Sequence, residues 1–222
     1  RVPDLINIVV AVIGAVVAEY AVQKFMKRQV TVKDFSAAVT GLLLAMNVPA
    51  SLPWWITLIG SIFAIVVVKQ LFGGLGHNFM NPALAARAVM LASWPVQMTS
   101  WTTPGADAVS TATPLAVLKG IEGGQAAGIM DMLLGNTAGC IGETSALLLL
   151  LGGIYLIYRG VISYHIPVIY IATVAVLSFL FSGFQVSAIS YNVLAGGLML
   201  GAFFITTYYS SSPVSIRVQF VY

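Results

Sequence analysis

Charge is scarce in this chain. Seven acidic and ten basic residues make up 8% of its 222 positions, while 59% are hydrophobic; a soluble domain carries roughly 25% charged residues. No water-facing surface can be assembled from so few polar groups. Cysteine is nearly absent as well: Cys140 stands alone, so the chain by itself forms neither a disulfide, a four-thiolate iron-sulfur cluster nor a structural zinc site. Any redox centre must therefore be organic or supplied by another chain. The net charge of +3 comes without a basic patch interleaved with aromatics, which argues against nucleic-acid binding.

Long apolar runs are plentiful. Residues 5–20, 54–71, 144–158, 166–181 and 193–207 are almost continuously hydrophobic, and a bilayer core takes about 20 such residues per helical span. Spans should be helical, because a helix satisfies its own backbone hydrogen bonds. The expected fold is an all-α, polytopic transmembrane bundle forming a single domain over residues 1–222. The first run has no basic leader and no small-residue cleavage site, so it reads as a span and not as a signal peptide.

Lys24, Lys27, Arg28 and Lys33 crowd one short loop, which the positive-inside rule assigns to the cytoplasm. Threading onward places Lys69, Arg159 and Arg217 on the same side. Arg1 and Lys119 fall outside with Asp107, Glu122, Asp131 and Glu143, so the loop at about 95–142 faces outward. Two stretches read as half-length, broken helices: residues 35–47, followed by Pro49 and Pro53, and residues 81–94, opened by Asn81-Pro82 as N-cap and first helical residue. Such helices at membrane depth line cavities or are buried in protein. The pentads at 41–45 and 197–201 echo each other and suggest an inverted repeat, although small residues four apart, as Gly197 and Gly201 are, also serve close helix packing. Trp54 and Trp55 suit an interfacial anchor, and residues 147–151 a lipid-facing or core stretch.

The most unusual chemistry lies in Asp107-Ala108-Val109-Ser110-Thr111-Ala112-Thr113-Pro114-Leu115. By residue type alone this is a hydroxyl-rich helix cap, in which Pro114 holds Thr113 in extended geometry. The segment also resembles a flavinylation motif, an Asp followed at fixed distance by Ser/Thr-x-Ala-Thr. The resemblance extends to the stretch from Gly73-Gly74-Leu75-Gly76-His77-Asn78 to Asn81-Pro82 and Arg87, and to Gly201-Ala202-Phe203-Phe204 with Ser212-Pro213-Val214. Across most of its length the chain is similar to the membrane flavoprotein D subunits of Rnf complexes, ferredoxin:NAD oxidoreductases coupled to ion pumping. These are related to the B subunit of the sodium-pumping NADH:quinone reductase.

The resemblance implies FMN joined through its phosphate to the Thr113 hydroxyl by a flavin transferase, with Asp107, Ser110, Thr111 and Ala112 as motif residues. It also implies a noncovalent riboflavin near Asn78 and Asn81, whose amides both donate and accept; capping by Asn81 is compatible with that role. Arg87, ionisable within a span, is a functional candidate by default, either stabilising a reduced flavin or pairing with an acid. Implied partners are the other iron-sulfur and flavin subunits of a membrane complex moving Na+ or H+, in a bacterial inner membrane. The chain departs from the family in lacking helices at both ends, in having Thr111 where glycine is common, and in lacking an Asp near Tyr208. His77 and His165 leave a bis-histidine haem open, although interfacial histidines fit them better. The rival reading is a broken-helix transporter or channel without cofactor, which leaves the 107–113 motif without a purpose.

Overall fold

The computed structural model describes residues 2–78, 80–102, 128–182, 184 and 186–208. The chain divides into two compact units, Arg1–Ser100 and Trp101–Tyr222, and every element described below is helical. In the first unit α1 (Val2–Phe25) is followed by a 3-10 turn (Val32–Asp34) and α2 (Ser36–Met46). Next, α3 (Trp54–Phe63) continues without a break as a π-helical segment (Ala64–Gln70). A glycine-rich turn then leads to α4 (Pro82–Ser93) and the single turn α5 (Pro95–Met98).

α1 is built with its small and polar residues inward. Asn7, Ala11, Ala15, Ala18, Glu19 and Gln23 are buried, while Leu5, Val9, Ile13, Val17 and Tyr20 are about half exposed or more. The buried set recurs every three to four residues, so it forms one helical face. In water the preference would be reversed; facing hydrocarbon, large apolar side chains lose nothing by pointing out, and small ones let backbones meet. A neighbouring backbone comes closest at Gly41 of α2, where an added Cβ would lie 2.5 Å from the Ala11 carbonyl oxygen. Gly60 of α3 likewise sits against the Met90 thioether of α4. Asn7 then ties the layers together: its amide donates to the Leu52 carbonyl (2.8 Å), and its oxygen accepts from Thr57 (2.9 Å). Across the basic loop, Gln23 exchanges two hydrogen bonds with Thr31, of 2.8 and 2.9 Å.

The second unit contains α6 (Ile129–Leu134), α7 (Ala146–Tyr158), α8 (His165–Phe181) and α9 (Val186–Leu194), then a single turn (Leu198–Leu200) running into a second π-helical segment (Gly201–Ile205). Ser145 caps α7 by accepting from the Leu148 N–H and donates to the Leu133 carbonyl. Of the 147–151 stretch, Leu147, Leu148 and Leu151 point outward while Leu149 is buried.

The half-length helices at 35–47 and 81–94 are present as α2 and α4. The run at 193–207 is not one helix, however; it breaks at 195–197, where Gly196 has φ +73°. The echoing pentads also occupy different settings, since Gly41 lies within α2 and Gly197 precedes the single turn. The close-packing role read for Gly197 and Gly201 holds for one of the two: a Cβ on Gly197 would strike the Glu143 carboxylate, whereas one on Gly201 would meet only the Tyr170 hydroxyl at 3.9 Å. Among the described residues one helix, Pro3–Phe25, is long and apolar enough to cross a bilayer alone; Ser36–Met46, Trp54–Gln70, Pro82–Ser93, Ala146–Tyr158 and His165–Phe181 are apolar but shorter.

Gly41→Ala should therefore cost about 1–3 kcal/mol, the usual penalty for overpacking, whereas Gly201→Ala should be near neutral. Thermal unfolding of the two variants in detergent, side by side, measures the difference.

Candidate functional site

The turn between the π-helical segment and α4 reverses the chain on three glycines, Gly73, Gly74 and Gly76, with φ of +122°, +97° and +87°. Only glycine adopts such angles at little cost. The Gly74 N–H closes on the Lys69 carbonyl at 2.9 Å and that of Gly73 on Gln70 at 3.2 Å, ending the helix; the His77 N–H then bonds to the Gly74 carbonyl at 3.2 Å. Asn78 follows directly.

Asn78 is half-buried, but both polar atoms of its carboxamide are shielded from solvent and neither has a hydrogen-bond partner among the described residues. Leaving such a group unpaired costs about 1–3 kcal/mol, so an orphaned amide calls for an explanation. Three residues on, Asn81 accepts from the Ala83 N–H at 2.9 Å and the Leu84 N–H at 3.4 Å, and Pro82 occupies the first helical position. The capping role expected of Asn81 is thus in place. Arg87, one turn and a half further along α4, is half-buried and donates to the Asn47 side-chain oxygen at 3.2 Å. Asn47 in turn donates to the Leu43 carbonyl at 2.8 Å. Arg87 thereby ties α4 to the end of α2 through an amide.

A second polar cluster lies deeper in the same unit. Glu19 of α1 and Lys69 of the π-helical segment form an ion pair at 2.6 Å, with side chains 0% and 1% exposed. The Gln70 amide donates to the same Glu19 oxygen at 2.7 Å, and Lys69 also donates to the Ser36 hydroxyl at 2.6 Å. Ser36 donates onward to the Asp34 carboxylate at 2.6 Å, and Arg28 bonds to the Gln70 carbonyl at 2.9 Å. Lys69, threaded to the side of the basic loop with Arg159 and Arg217, is fully buried and not a solvated flanking cation, although the contact from Arg28 puts its end of the helix beside the basic loop. A partial signal was available in sequence, since Glu19 and Lys69 each fall near the end of an apolar run, where an ionisable residue that turns inward needs a partner.

Asp107, Ser110, Thr111, Ala112 and Thr113 lie outside the described residues. His77 is exposed in the glycine turn, whereas His165 in the second unit stacks on Tyr164 at 4.0 Å and shares a 2.9 Å hydrogen bond with Ser163. Trp55 meets Trp94 edge to face at 5.7 Å, so of the two tryptophans after Pro53 one also braces α3 against α4.

Helices with large apolar side chains outward and half-length apolar helices fit a helical membrane protein. Residues 1–222 match the family model described as the NQR2, RnfD, RnfE family, and the chain belongs to that family. It is 51% identical over 218 residues to the D subunit of the Na+-translocating ferredoxin:NAD+ oxidoreductase complex of Acetobacterium woodii, covering 97% of this chain and 67% of that protein. The D subunit of the proton-translocating ferredoxin:NAD+ oxidoreductase complex of Clostridium ljungdahlii is 44% identical over 230 residues, covering 97% and 69%. The D subunit of the ion-translocating oxidoreductase complex of Alcanivorax borkumensis is 38% identical over 246 residues, covering 99% and 72%.

Lys69→Met strands a buried carboxylate and should cost about 3–5 kcal/mol, whereas replacing both partners with apolar residues of similar volume should recover most of that loss. Thermal unfolding of Lys69→Met and of Glu19→Met/Lys69→Met measures it; a double variant no more stable than the single one would contradict the pairing.

Proposed function

We propose that this chain is the flavin-carrying membrane component of an ion-translocating ferredoxin:NAD+ oxidoreductase, relaying electrons between partner subunits while the complex moves Na+ or H+. Family membership over the full chain and the names of the relatives support the oxidoreductase assignment over a transporter working alone. The observation that carries the flavin reading is Asn78. Its buried carboxamide holds a donor and an acceptor side by side with no partner among the described residues, and the imide edge of a flavin ring presents the complementary acceptor and donor.

The chain's own parts then have distinct tasks. Asn78 orients the ring of a noncovalent riboflavin, Asn81 fixes the start of α4 and so the position of the turn, and Arg87 supplies positive charge close by. Thr113 offers the hydroxyl for a phosphoester to FMN. A maturing transferase reads Asp107, Ser110, Thr111 and Ala112 and uses FAD as donor: the Thr113 O–P bond forms, the pyrophosphate P–O bond breaks, and AMP leaves with the hydroxyl proton in net balance. When bound, the flavins supply one- and two-electron redox chemistry that no side chain here can provide. The partners would be the iron-sulfur and flavin subunits of the complex, in a bacterial inner membrane.

Several crossings of the bilayer follow from this reading, with α2 and α4 as half-helices lining the flavin cavity. The basic loop at 24–33 faces the cytoplasm and the 95–142 loop faces outward.

Three variants test the assignment. Thr113→Ala should abolish flavin fluorescence of the chain on a denaturing gel, because only a covalent cofactor survives denaturation; fluorescence at the wild-type level would refute the attachment site. Asn78→Ala should lower riboflavin released from the purified complex without changing gel fluorescence. Asn81→Ala should in addition cost about 1 kcal/mol of stability from the lost cap, which separates the two asparagines by thermal unfolding.

A further inference from the structure

The Glu19–Lys69 pair is more than a buried salt bridge in its connections. Four groups stand in unbroken hydrogen-bond contact: Asp34, Ser36, Lys69 and Glu19, each link 2.6 Å. The outer end, Asp34, is exposed to solvent, and the inner end, Glu19, is fully buried. Every member can give and take a proton. A purely structural ion pair satisfies the remaining lone pairs of its carboxylate, but the second Glu19 oxygen, Oε2, is buried and has no partner among the described residues. Gln70, which donates to Glu19, also faces the glycine turn that leads to Asn78, its oxygen lying 3.9 Å from where a Gly74 Cβ would be.

We propose that Glu19 is a proton-loading site, charged from solvent through Asp34, Ser36 and Lys69. Lys69 passes one ammonium proton to Glu19 Oε1, so that its N–H bond breaks, an O–H bond forms, and the pair becomes amine and carboxylic acid. The Ser36 hydroxyl turns from Asp34 toward Lys69, gives its proton to the amine and takes one from protonated Asp34. Such rotation is open to a serine hydroxyl, which has one donor and two acceptor positions. The net change is one proton moved from Asp34 to Glu19, with Lys69 again an ammonium and Ser36 again a hydroxyl.

The charged groups around the path are few. Lys69 comes from the π-helical segment and Asp34 from the 3-10 turn. Arg28 reaches the Gln70 carbonyl, Lys24 lies over the Tyr20 ring at 5.7 Å, and Arg87 of α4 engages Asn47. No step draws on a flavin, so the relay is independent of the cofactor assignment.

The test is time-resolved infrared difference spectroscopy of the assembled complex after a downward pH jump, following the C=O band of protonated carboxyl groups. Glu19→Gln identifies the Glu19 band by removing it; if that variant does not assemble, Glu19→Asp identifies it by a shift. Ser36→Ala keeps the ion pair and the 2.8 Å bond from the Ser36 N–H to Asp34, so folding is retained while the path is cut. Protonation of Glu19 should then slow about 100-fold, the lower end of what a positioned proton-transfer group contributes. Ser36→Thr, which restores the hydroxyl, should recover the rate. A Glu19 band that rises equally fast in Ser36→Ala and wild type overturns the relay, and so does a Glu19 carboxylate that never protonates.

Discussion

A helix that turns its large apolar side chains outward has only small and polar groups left to hold it to its neighbours, and that constraint organises the first unit. Along α1, alanines set the distance, and Asn7, Glu19 and Gln23 supply the specific bonds, each to a different partner segment. Glu19 is the costliest of these. A carboxylate at 0% exposure is tolerable only because Lys69 meets it, and removing either partner alone would leave a charge that the interior cannot solvate. The pair therefore locks the end of the π-helical segment to α1.

From that lock the candidate site follows. The π-helical turn is wider than an α-turn, so consecutive residues diverge less in direction, and Lys69 and Gln70 both reach the same Glu19 oxygen. The segment ends there, and the glycines reverse the chain within a few residues. Asn78 is delivered beside the start of α4, whose position is set by the Asn81 cap at one end and by Arg87 reaching Asn47 further along. A glycine-rich, polar turn is thus held from both sides by buried contacts. In the chain, the orphaned amide of Asn78 lies between a buried ion pair and a capped half-helix.

Helical class, the two half-helices and the N-cap were legible in sequence because each depends on local rules: apolar run length, proline position, and the preference of Asn-Pro for a helix start. The proposed attachment motif from Asp107 to Thr113 rests on sequence alone, as a short linear string outside the described residues. Other features were misjudged because they depend on what lies opposite. Gly201 looked like a packing glycine and has space above it, whereas Gly41, noted only as the start of an echoing pentad, is pressed on a neighbouring backbone.

Lys69 shows where the boundary lies. Composition and hydrophobic runs sufficed to establish that this chain is helical and suited to lipid, and that it carries too few thiols for an iron-sulfur cluster of its own, because these follow from residue chemistry summed along the chain. Whether a lysine at the end of an apolar run reaches water or turns inward depends on an acid 50 residues away in sequence. Only the packing of α1 against the π-helical segment brings the two within 2.6 Å. Spacing along a chain encodes periodicity, but not which distant face a side chain will meet.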